Sequence, residues 1–267
     1  MPGPIPSSEE PGETDVLALC YHAVSPRWPA DLSVTPHSFA NQVEHLARHG
    51  YRGVTFTEAA LGKVTGKCVA ITFDDGYLST IRLARPTLDR FGMVGTLFVP
   101  TDYIGGGPMI WPGVDRWMGS EHEAELMPMS WEDVRELADS GWEIGSHTKS
   151  HPHLPQISDQ QLEEELVGSR LICEQVLERP CPSIAYPYGD HDGRVIAAAE
   201  RAGYAAGATV PQQLQGQSPY ASPRVGIYHS DGALVFRLKI SPLVRRARRS
   251  RAWAPLADAA RRLIPGR

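Results

Sequence analysis

The sequence lacks the features of a membrane-spanning, disulfide-rich or repetitive protein. It contains no run of about 18 apolar residues, so no helix is expected to span a bilayer. Its four cysteines are too few for a disulfide scaffold in 267 residues, and none belongs to a C-x-x-C pair. We expect reduced thiols, with Cys20 and Cys68 as small core residues. The 25 glycines follow no fixed period, which argues against a repeat fold.

The first residues, MPGPIPSSEEPGETD, lack the basic start and the apolar run of a secretory signal. They predict a disordered leader over residues 1–15. Together with the lack of a long apolar run, they predict a cytoplasmic protein.

Acidic and basic residues are unevenly distributed. The net charge is −5, yet residues 237–267 carry ten Lys or Arg and one acidic residue, which leaves −14 on residues 1–236. Because an acidic body repels phosphate backbones, we expect no nucleic-acid partner. The basic stretch that contains Trp253, Leu256 and Leu263 has two interpretations, a peripheral membrane contact or a solvated, partly helical tail. Nothing in these patterns predicts an oligomeric state.

Short apolar runs that suit buried strands alternate with stretches of helical periodicity, which is typical of an α/β fold. The predicted strands are residues 16–21, 53–56, 68–73, 94–99, 142–145, 183–186, 204–209 and 224–228, and the predicted helices are residues 36–49, 79–91, 131–140, 158–178 and 193–202. Capping boxes begin two of these helices, at Ser130 and Ser158. The strands form either a closed barrel or an open doubly wound sheet. In both folds, catalytic groups follow the carboxyl ends of the strands.

Residues 101–129 interrupt the alternation with a loop that is rich in glycine and tryptophan. The loop is too long for a simple connection. It forms either a rim on which Trp111 and Trp117 stack against a ligand, or a surface loop packed on itself.

Two predicted strands end in groups that suit a metal site. Asp74 and Asp75 follow one strand, and His147 and His151 follow another. If a helical turn separates the two imidazoles, they converge on one cation. Two imidazoles and one carboxylate leave coordination positions open, as in catalytic zinc sites, and Co, Ni or Mn also fit these ligands. The second carboxylate then serves as a base in the metal-assisted hydrolysis of an amide or ester.

Three segments of the sequence form an ordered set of motifs: Thr72-Phe73-Asp74-Asp75-Gly76, His147-Thr148-x-x-His151 and Tyr186-Pro187-Tyr188-Gly189. They resemble, in this order, the first three motifs of the polysaccharide deacetylase (NodB-homology, carbohydrate esterase 4) family. The resemblance implies a distorted (β/α) barrel of about seven parallel strands that hydrolyses the acetamide of N-acetylated amino sugars. We accordingly place a leader at residues 1–15, a deacetylase domain at residues 16–236 and a basic tail at residues 237–267.

The resemblance also implies a role for each matched residue. The general base is Asp74, the metal ligands are Asp75, His147 and His151, and the groove is lined by Pro187 and Tyr188. The backbone amide of Tyr188 would stabilise the oxyanion. The sequence departs from the family at Ala185, where many members have an Arg that orients the base, so another group must position Asp74. We find no Asp-Trp fourth motif near the C-terminus.

The general acid has two candidates. Leu19-Cys20-Tyr21-His22 ends the first predicted strand and resembles the fifth motif of exopolysaccharide deacetylases, and His229 follows the last strand. First and last strands are neighbours in a closed barrel, so either imidazole can reach the leaving nitrogen. We favour His22 and keep His229 as the alternative.

The predicted function is the metal-dependent removal of an N-acetyl group from an amino sugar in an oligosaccharide, polysaccharide or sugar conjugate, with release of acetate. One alternative is the hydrolysis of a small non-sugar amide, as in allantoinase-like relatives. A second is a carbohydrate-binding protein with weakened catalysis. The missing Arg at position 185 favours this last alternative, and the retained acids and histidines argue against it.

Overall fold

The apolar runs of the sequence form parallel strands of one curved sheet in a computed structural model that describes residues 15–211, 214 and 218–250. The strands are β1 (Asp15–Tyr21), β2 (Ala23–Val24), β3 (Ser33–Val34), β4 (Arg52–Gly53), β5 (Lys67–Phe73), β6 (Gly95–Val99), β7 (Glu143–Ser146), β8 (Ser183–Ala185), β9 (Ala206–Thr209), β10 (Ser222–Pro223) and β11 (Val225–Gly226). The order in the main sheet is β10-β9-β8-β7-β6-β5-β1-β11, with β4 also paired to β5, and β2 and β3 form a separate short pair. The predicted leader, except for residue 15, and Trp253, Leu256 and Leu263 of the predicted tail lie outside the described residues.

The sheet curls into a nearly closed barrel, which confirms the predicted fold. β10 and β11 are two halves of one extended segment that is interrupted at Arg224. The first half pairs with β9 and the second half pairs with β1, so this segment connects the two ends of the sheet. Arg224 donates its backbone N–H to the Thr209 carbonyl at 2.9 Å. The barrel alternative therefore holds, and the open sheet does not.

Helices cover the outside of the sheet. They are α1 (Pro36–Arg48), α2 (Phe56–Ala60), α3 (Arg85–Arg90), α4 (Trp131–Asp139), α5 (Asp159–Glu163), α6 (Ser169–Leu177), α7 (Gly193–Arg201), α8 (Ala233–Ile240) and α9 (Pro242–Arg248), with π-helical turns at Thr80–Ala84 and Glu164–Gly168. Both predicted capping boxes are present, at Ser130 and Ser158.

The predicted strand at residues 53–56 was wrong in its second half. Thr55 caps α2 through a capping box with Glu58, so the chain turns into a helix at Phe56.

A second apolar cluster anchors the long loop at residues 101–129. It combines Met109, Trp111 and Leu126 from the loop with Trp28 and Tyr77 from other segments. The loop is thus packed on a small core of its own, and its inner edge faces the carboxyl ends of the strands.

In the part of the chain that the structure describes, no helix combines the length and the apolar character needed to cross a membrane. The four cysteines are free and buried, and the core positions predicted for Cys20 and Cys68 are confirmed. Helix α8 runs across residue 236, and the division of the chain into leader, domain and tail stays a prediction.

Candidate active site

The candidate site lies at the carboxyl ends of the parallel strands. Asp74 and Asp75 follow β5, His147 follows β7, and His22 follows β1. These side chains face a cleft of about 410 Å³. The aromatic part of the cleft wall consists of Trp111, Trp117, Tyr186, Tyr188 and Tyr228.

Asp75, His147 and His151 converge on a common point. Asp75 Oδ1 lies 3.3 Å from His147 Nε2 and 3.5 Å from His151 Nε2, and all three side chains are buried. Asp75 Oδ1 has no hydrogen-bond partner among the described residues. Ligand atoms about 2.1 Å from a tetrahedral cation stand about 3.4 Å apart, so this donor set fits a divalent metal such as zinc.

The two imidazoles converge through a turn that is not helical, which corrects the predicted local geometry. Thr148 takes a left-handed backbone conformation (φ 68°), and its hydroxyl accepts the backbone N–H of His151 at 3.1 Å. His147 is oriented by a 2.8 Å hydrogen bond between its Nδ1 and the Ala185 carbonyl. Such a contact turns the other ring nitrogen towards a metal.

His151 is oriented differently, because its buried Nδ1 has no hydrogen-bond partner among the described residues. Trp111 stacks on the imidazole, with 4.2 Å between ring centroids and 23° between the planes. Tyr188 approaches the ring edge-on, at 4.6 Å between centroids. Aromatic packing therefore fixes a ring that usually depends on a hydrogen bond.

Unfavourable backbone conformations concentrate at this site. Asp75 (φ 69°), Thr148, His151 (φ 61°) and Tyr188 (φ 58°) are left-handed although none is a glycine. Over the described ranges, the fifth such residue is Glu178, at the end of α6. Such conformations cost about 1–3 kcal/mol each and cluster where function requires them.

Burial and neighbouring charges set the protonation of the three candidate ligands. Burial lowers the pKa of His151 to about 3, and nearby His147 acts in the same direction. Burial also disfavours the charged form of His147, but contact with Asp75 and the charge of Asp74 raise the pKa of His147. For Asp75, burial favours a higher carboxyl pKa, but contact with His147 and the charges of the neighbouring histidines together lower that pKa. His151 is thus neutral and Asp75 ionised near pH 7, as metal coordination requires.

Asp74 is held by Arg224 and not by the candidate metal ligands. Arg224 donates from Nη1 to Asp74 Oδ1 at 2.6 Å and from Nη2 to Asp74 Oδ2 at 2.7 Å. Its Nη1 also donates to the Thr72 hydroxyl at 2.7 Å, and its guanidinium lies 5.2 Å from the Phe98 ring centroid. Arg224 and Asp74 are both buried.

Sequence reasoning missed Arg224. Arg224 is the first residue of the predicted strand 224–228. A single basic residue at the start of an otherwise apolar strand was the signal in the sequence that could have identified it. Burial alone would raise the pKa of Asp74, but the charge and hydrogen bonds of Arg224 hold that pKa far below its usual range. Arg224 thereby supplies the cation that position 185 lacks.

Cys20 also contacts Asp74, with its thiol 3.4 Å from Oδ2. Burial raises the pKa of this thiol well above its usual value, so Cys20 stays protonated and donates to the carboxylate. Cys20, His22 and Asp74 place their ligand atoms within 4.8 Å of one another, a spacing that also suits a metal. Arg224 already donates hydrogen bonds to both oxygens of Asp74. We therefore interpret Cys20 and His22 as neighbours of the Asp74 carboxylate and not as ligands of a second metal.

The two candidate general acids are placed differently. His22 lines the cleft beside Asp74 and Asp75. His229 is exposed and is not among the described residues that line the cleft, so the structure does not bring this alternative together with the other candidate groups. The physical reason lies in the chain after β11, where Tyr228 faces the cleft and His229 donates its backbone N–H to the Asp31 carbonyl.

The predicted groove residues differ in accessibility. Tyr188 is 40% exposed and lines the cleft, whereas Trp111 lies in the wall and is 6% exposed. Pro187 is buried and does not reach the described cleft wall, because the left-handed Tyr188 turns its own side chain there instead. His153 stacks on Tyr188 with 4.0 Å between ring centroids and lies 2.6 Å from Asp190, so it supports the groove wall.

Comparison with known proteins gives a consistent result. The sequence profile of the family described as polysaccharide deacetylase matches residues 61–207. YxkH of Bacillus subtilis, a provisionally named polysaccharide deacetylase, is 29% identical over 227 residues, which cover 82% of this chain and 73% of that protein. The poly-β-1,6-N-acetyl-D-glucosamine N-deacetylase of Staphylococcus aureus is 24% identical over 256 residues, which cover 85% of this chain and 83% of that protein.

A solved structure shows the same fold. The deacetylase PplD of Streptococcus pyogenes, in complex with acetate, superposes with a TM-score of 0.71 at 22% sequence identity. The superposition covers 85% of this chain and 98% of that one. The fold of this chain is therefore similar to that of a solved deacetylase.

Proposed function

Because the chain belongs to the polysaccharide deacetylase family, hydrolases of non-peptide carbon–nitrogen bonds, we propose that it removes the N-acetyl group from an N-acetylated amino sugar polymer. In this proposal Asp75, His147 and His151 hold a divalent cation, with zinc as the first candidate and Co, Ni or Mn as alternatives. A cation bound there would polarise the acetyl carbonyl and increase the acidity of a water molecule.

The observation that carries the proposal is the different environment of two neighbouring carboxylates. Asp75 faces His147 and His151, whereas both oxygens of Asp74 accept hydrogen bonds from Arg224. One carboxylate is thus available as a ligand and the other as a base. Adjacent acids with separate roles are expected in a site that activates water.

The residues of this chain would act in a defined order. Asp74 accepts a proton from the attacking water as the water oxygen bonds to the acetyl carbon. The backbone N–H of Tyr188 donates to the oxyanion that develops on the acetyl oxygen. His22 then donates a proton to the amide nitrogen as the carbon–nitrogen bond breaks, which leaves acetate and a free amino sugar.

Two features support a sugar substrate. The cleft wall exposes Tyr188 beside the partly buried Trp117, and aromatic faces pack well against sugar rings. The relative from Staphylococcus aureus acts on poly-β-1,6-N-acetyl-D-glucosamine, so we propose a polymer or oligomer of N-acetylglucosamine as the substrate class. The main support for the alternative of a carbohydrate-binding protein was the absence of an Arg at position 185 that could orient Asp74. Arg224 pairs with Asp74 in this chain, so that support is lost.

The direct test is an acetate-release assay on the metal-loaded protein with poly-β-1,6-N-acetyl-D-glucosamine, chitin oligomers and allantoin. We expect acetate from at least one sugar, loss of release with a chelator, and recovery when metal is returned. Asp74→Asn is the control for acetate released by a contaminant. Turnover of allantoin without acetate release from any sugar would contradict the proposal and favour the small-amide alternative.

A further inference from the structure

Exposed apolar side chains concentrate on one flank of the barrel. Over the described ranges, eight large apolar side chains are exposed, and four of them lie within ten consecutive positions. They are Leu234 (71% exposed), Val235 (40%), Leu238 (52%) and Leu243 (80%). We refer to these four residues, with Arg237 and Arg246, as the α8–α9 surface.

The α8–α9 surface is not the core side of its helices. At about 100° per residue, Leu234, Leu238 and Val235 share one side of α8. Phe236 and Ile240 lie on the opposite side of the helix and are buried. Helix α8 is therefore apolar both towards the barrel and towards solvent. A helix that is apolar all round is normally covered on both sides.

Positive charge surrounds the exposed apolar side chains. Residues 232–250 contain six Lys or Arg and no acidic residue. Some of these cations point inward, since Lys239 pairs with Asp231 and Arg245 pairs with Asp15. Arg237 and Arg246 are exposed and form none of the ion pairs found among the described residues.

We propose that the α8–α9 surface docks on an anionic lipid bilayer, with its apolar side chains at the interface and Arg237 and Arg246 at the headgroups. Both parts of the surface are needed for this partner, because apolar area and basic charge together drive interfacial binding. Residues 1–236 carry a net charge of −14, so an anionic membrane attracts this flank and repels the rest of the molecule. The proposal goes beyond the deacetylase activity and does not depend on it.

The charge distribution argues against a second copy as the occupant. A symmetric contact would bring the same basic side chains of two copies together, which is unfavourable. A membrane brings opposite charge to the same surface.

The test is co-sedimentation of the full chain with vesicles of phosphatidylcholine and phosphatidylglycerol in equal parts, and with vesicles of phosphatidylcholine alone. We expect binding to the anionic vesicles that is lost at high salt. The triple variant Leu234→Ser, Leu238→Ser, Leu243→Ser should reduce the bound fraction at least about fivefold, and Arg237→Gln with Arg246→Gln should weaken binding similarly. Acetate release from a soluble substrate should stay unchanged in both variants.

Leu171→Ser is the matched control, because Leu171 is 54% exposed on α6, outside this surface. No binding of the full chain to anionic vesicles, equal binding of the triple variant, or an equal loss in the control would each overturn the proposal. Two further results would do the same. One is a Leu238→Cys thiol that resists a water-soluble thiol reagent without vesicles, which would show that the chain covers its own surface. The other is a dimer in solution that the triple variant dissociates.

Discussion

Arg224 holds both oxygens of Asp74 from a position 150 residues further along the chain. The contact exists because the segment that closes the barrel passes between β9 and β1 and directs Arg224 towards Asp74 at the end of β5. An ion pair so deeply buried is weak evidence for stability, since desolvation offsets much of the attraction. Its effect on the proton affinity of the carboxylate is larger, and it bears directly on the proposed base.

Arg224→Met should change the pH profile of deacetylation. Arg224 now lowers the pKa of Asp74, so its removal raises that pKa, and the base is protonated at pH values where it is now ionised. The acid limb of kcat/KM should therefore move to higher pH, by about 1–3 units. Arg224→Lys, which keeps the charge but loses the two-pronged contact, should show a smaller shift. Rates measured across pH with one substrate provide the check.

Arg245→Met is the matched control for this experiment. Arg245 is also buried and pairs with a carboxylate, Asp15, at the start of β1 and away from the cleft. Breaking the buried Arg224–Asp74 pair should lower the free energy of unfolding by about 3–5 kcal/mol, and breaking the partly exposed Arg245–Asp15 pair should lower it by less. If both variants lose stability and neither moves the acid limb, Arg224 has no role in positioning the base.

The two neighbouring aspartates should separate metal binding from turnover. Asp75→Ala removes a proposed ligand, so bound metal and activity should be lost together. Asp74→Asn should retain the metal, because Asp74 is held by Arg224, while the rate falls by about 10²–10⁴-fold. Metal content after dialysis, measured by mass spectrometry beside the acetate-release rate, distinguishes the two effects. Metal loss in Asp74→Asn, or full metal content in Asp75→Ala, would contradict the assigned roles.

The sequence predicted much of this site because its signals are local. Each strand end carries its own chemistry, and the barrel topology alone brings Asp75 and His147 to one edge. Arg224 was not predictable in this way, since its partner is set by how the sheet closes. The choice between His22 and His229 depended on which side chain after β11 turns inward, and Tyr228 takes that position.

The orientation of His151 was equally hidden from the sequence. Trp111 belongs to the long loop, and only the packing of that loop on Trp28 and Tyr77 brings its indole against the imidazole. A pattern of apolar residues predicts that such a loop packs on itself or faces a ligand, and here its tryptophan packs on a proposed metal ligand. Sequence spacing carries no information about that contact.

Trp111→Leu should weaken metal binding in addition to destabilising the loop. Removal of the indole leaves the His151 ring, which has no hydrogen bond at Nδ1 among the described residues, without its stacking partner and in contact with the edge-on Tyr188. Loss of such an orienting contact typically lowers metal affinity about 10–100-fold. Trp111→Phe should restore most of the affinity, because a smaller aromatic ring still stacks. Competition with a chelating dye measures the dissociation constant, and thermal unfolding measures stability.

Trp117→Leu is the control for damage to the loop. Trp117 belongs to the same loop as Trp111, packs edge-on against Trp28 and does not contact His151 among the described ring contacts. Its substitution should lower stability while leaving metal affinity within about threefold of the parent, since no orienting contact is removed. Equal losses of affinity in both variants would show that the whole loop, and not Trp111, holds the ligand.

His22→Gln should act through the leaving group. If His22 donates the proton to the departing nitrogen, its loss should slow amide hydrolysis by about 10²–10⁴-fold. An aryl acetate ester such as 4-nitrophenyl acetate needs no such proton, because its leaving group is a stable anion. The same variant should therefore hydrolyse the ester at a rate close to that of the parent. The ratio of amide to ester rates gives a measure that general unfolding would not change.

His229→Gln serves as the matched comparison, because His229 is exposed and is not among the described residues that line the cleft. It should leave both rates near the parent values. An amide-selective loss in His229→Gln with none in His22→Gln would reverse the assignment. Such a result would require the segment after β11 to rearrange so that His229 replaces Tyr228 at the cleft. Equal losses of the amide and ester rates in His22→Gln would instead show that His22 maintains the structure of the site. The proton for the departing nitrogen would then have no assigned donor in the protein.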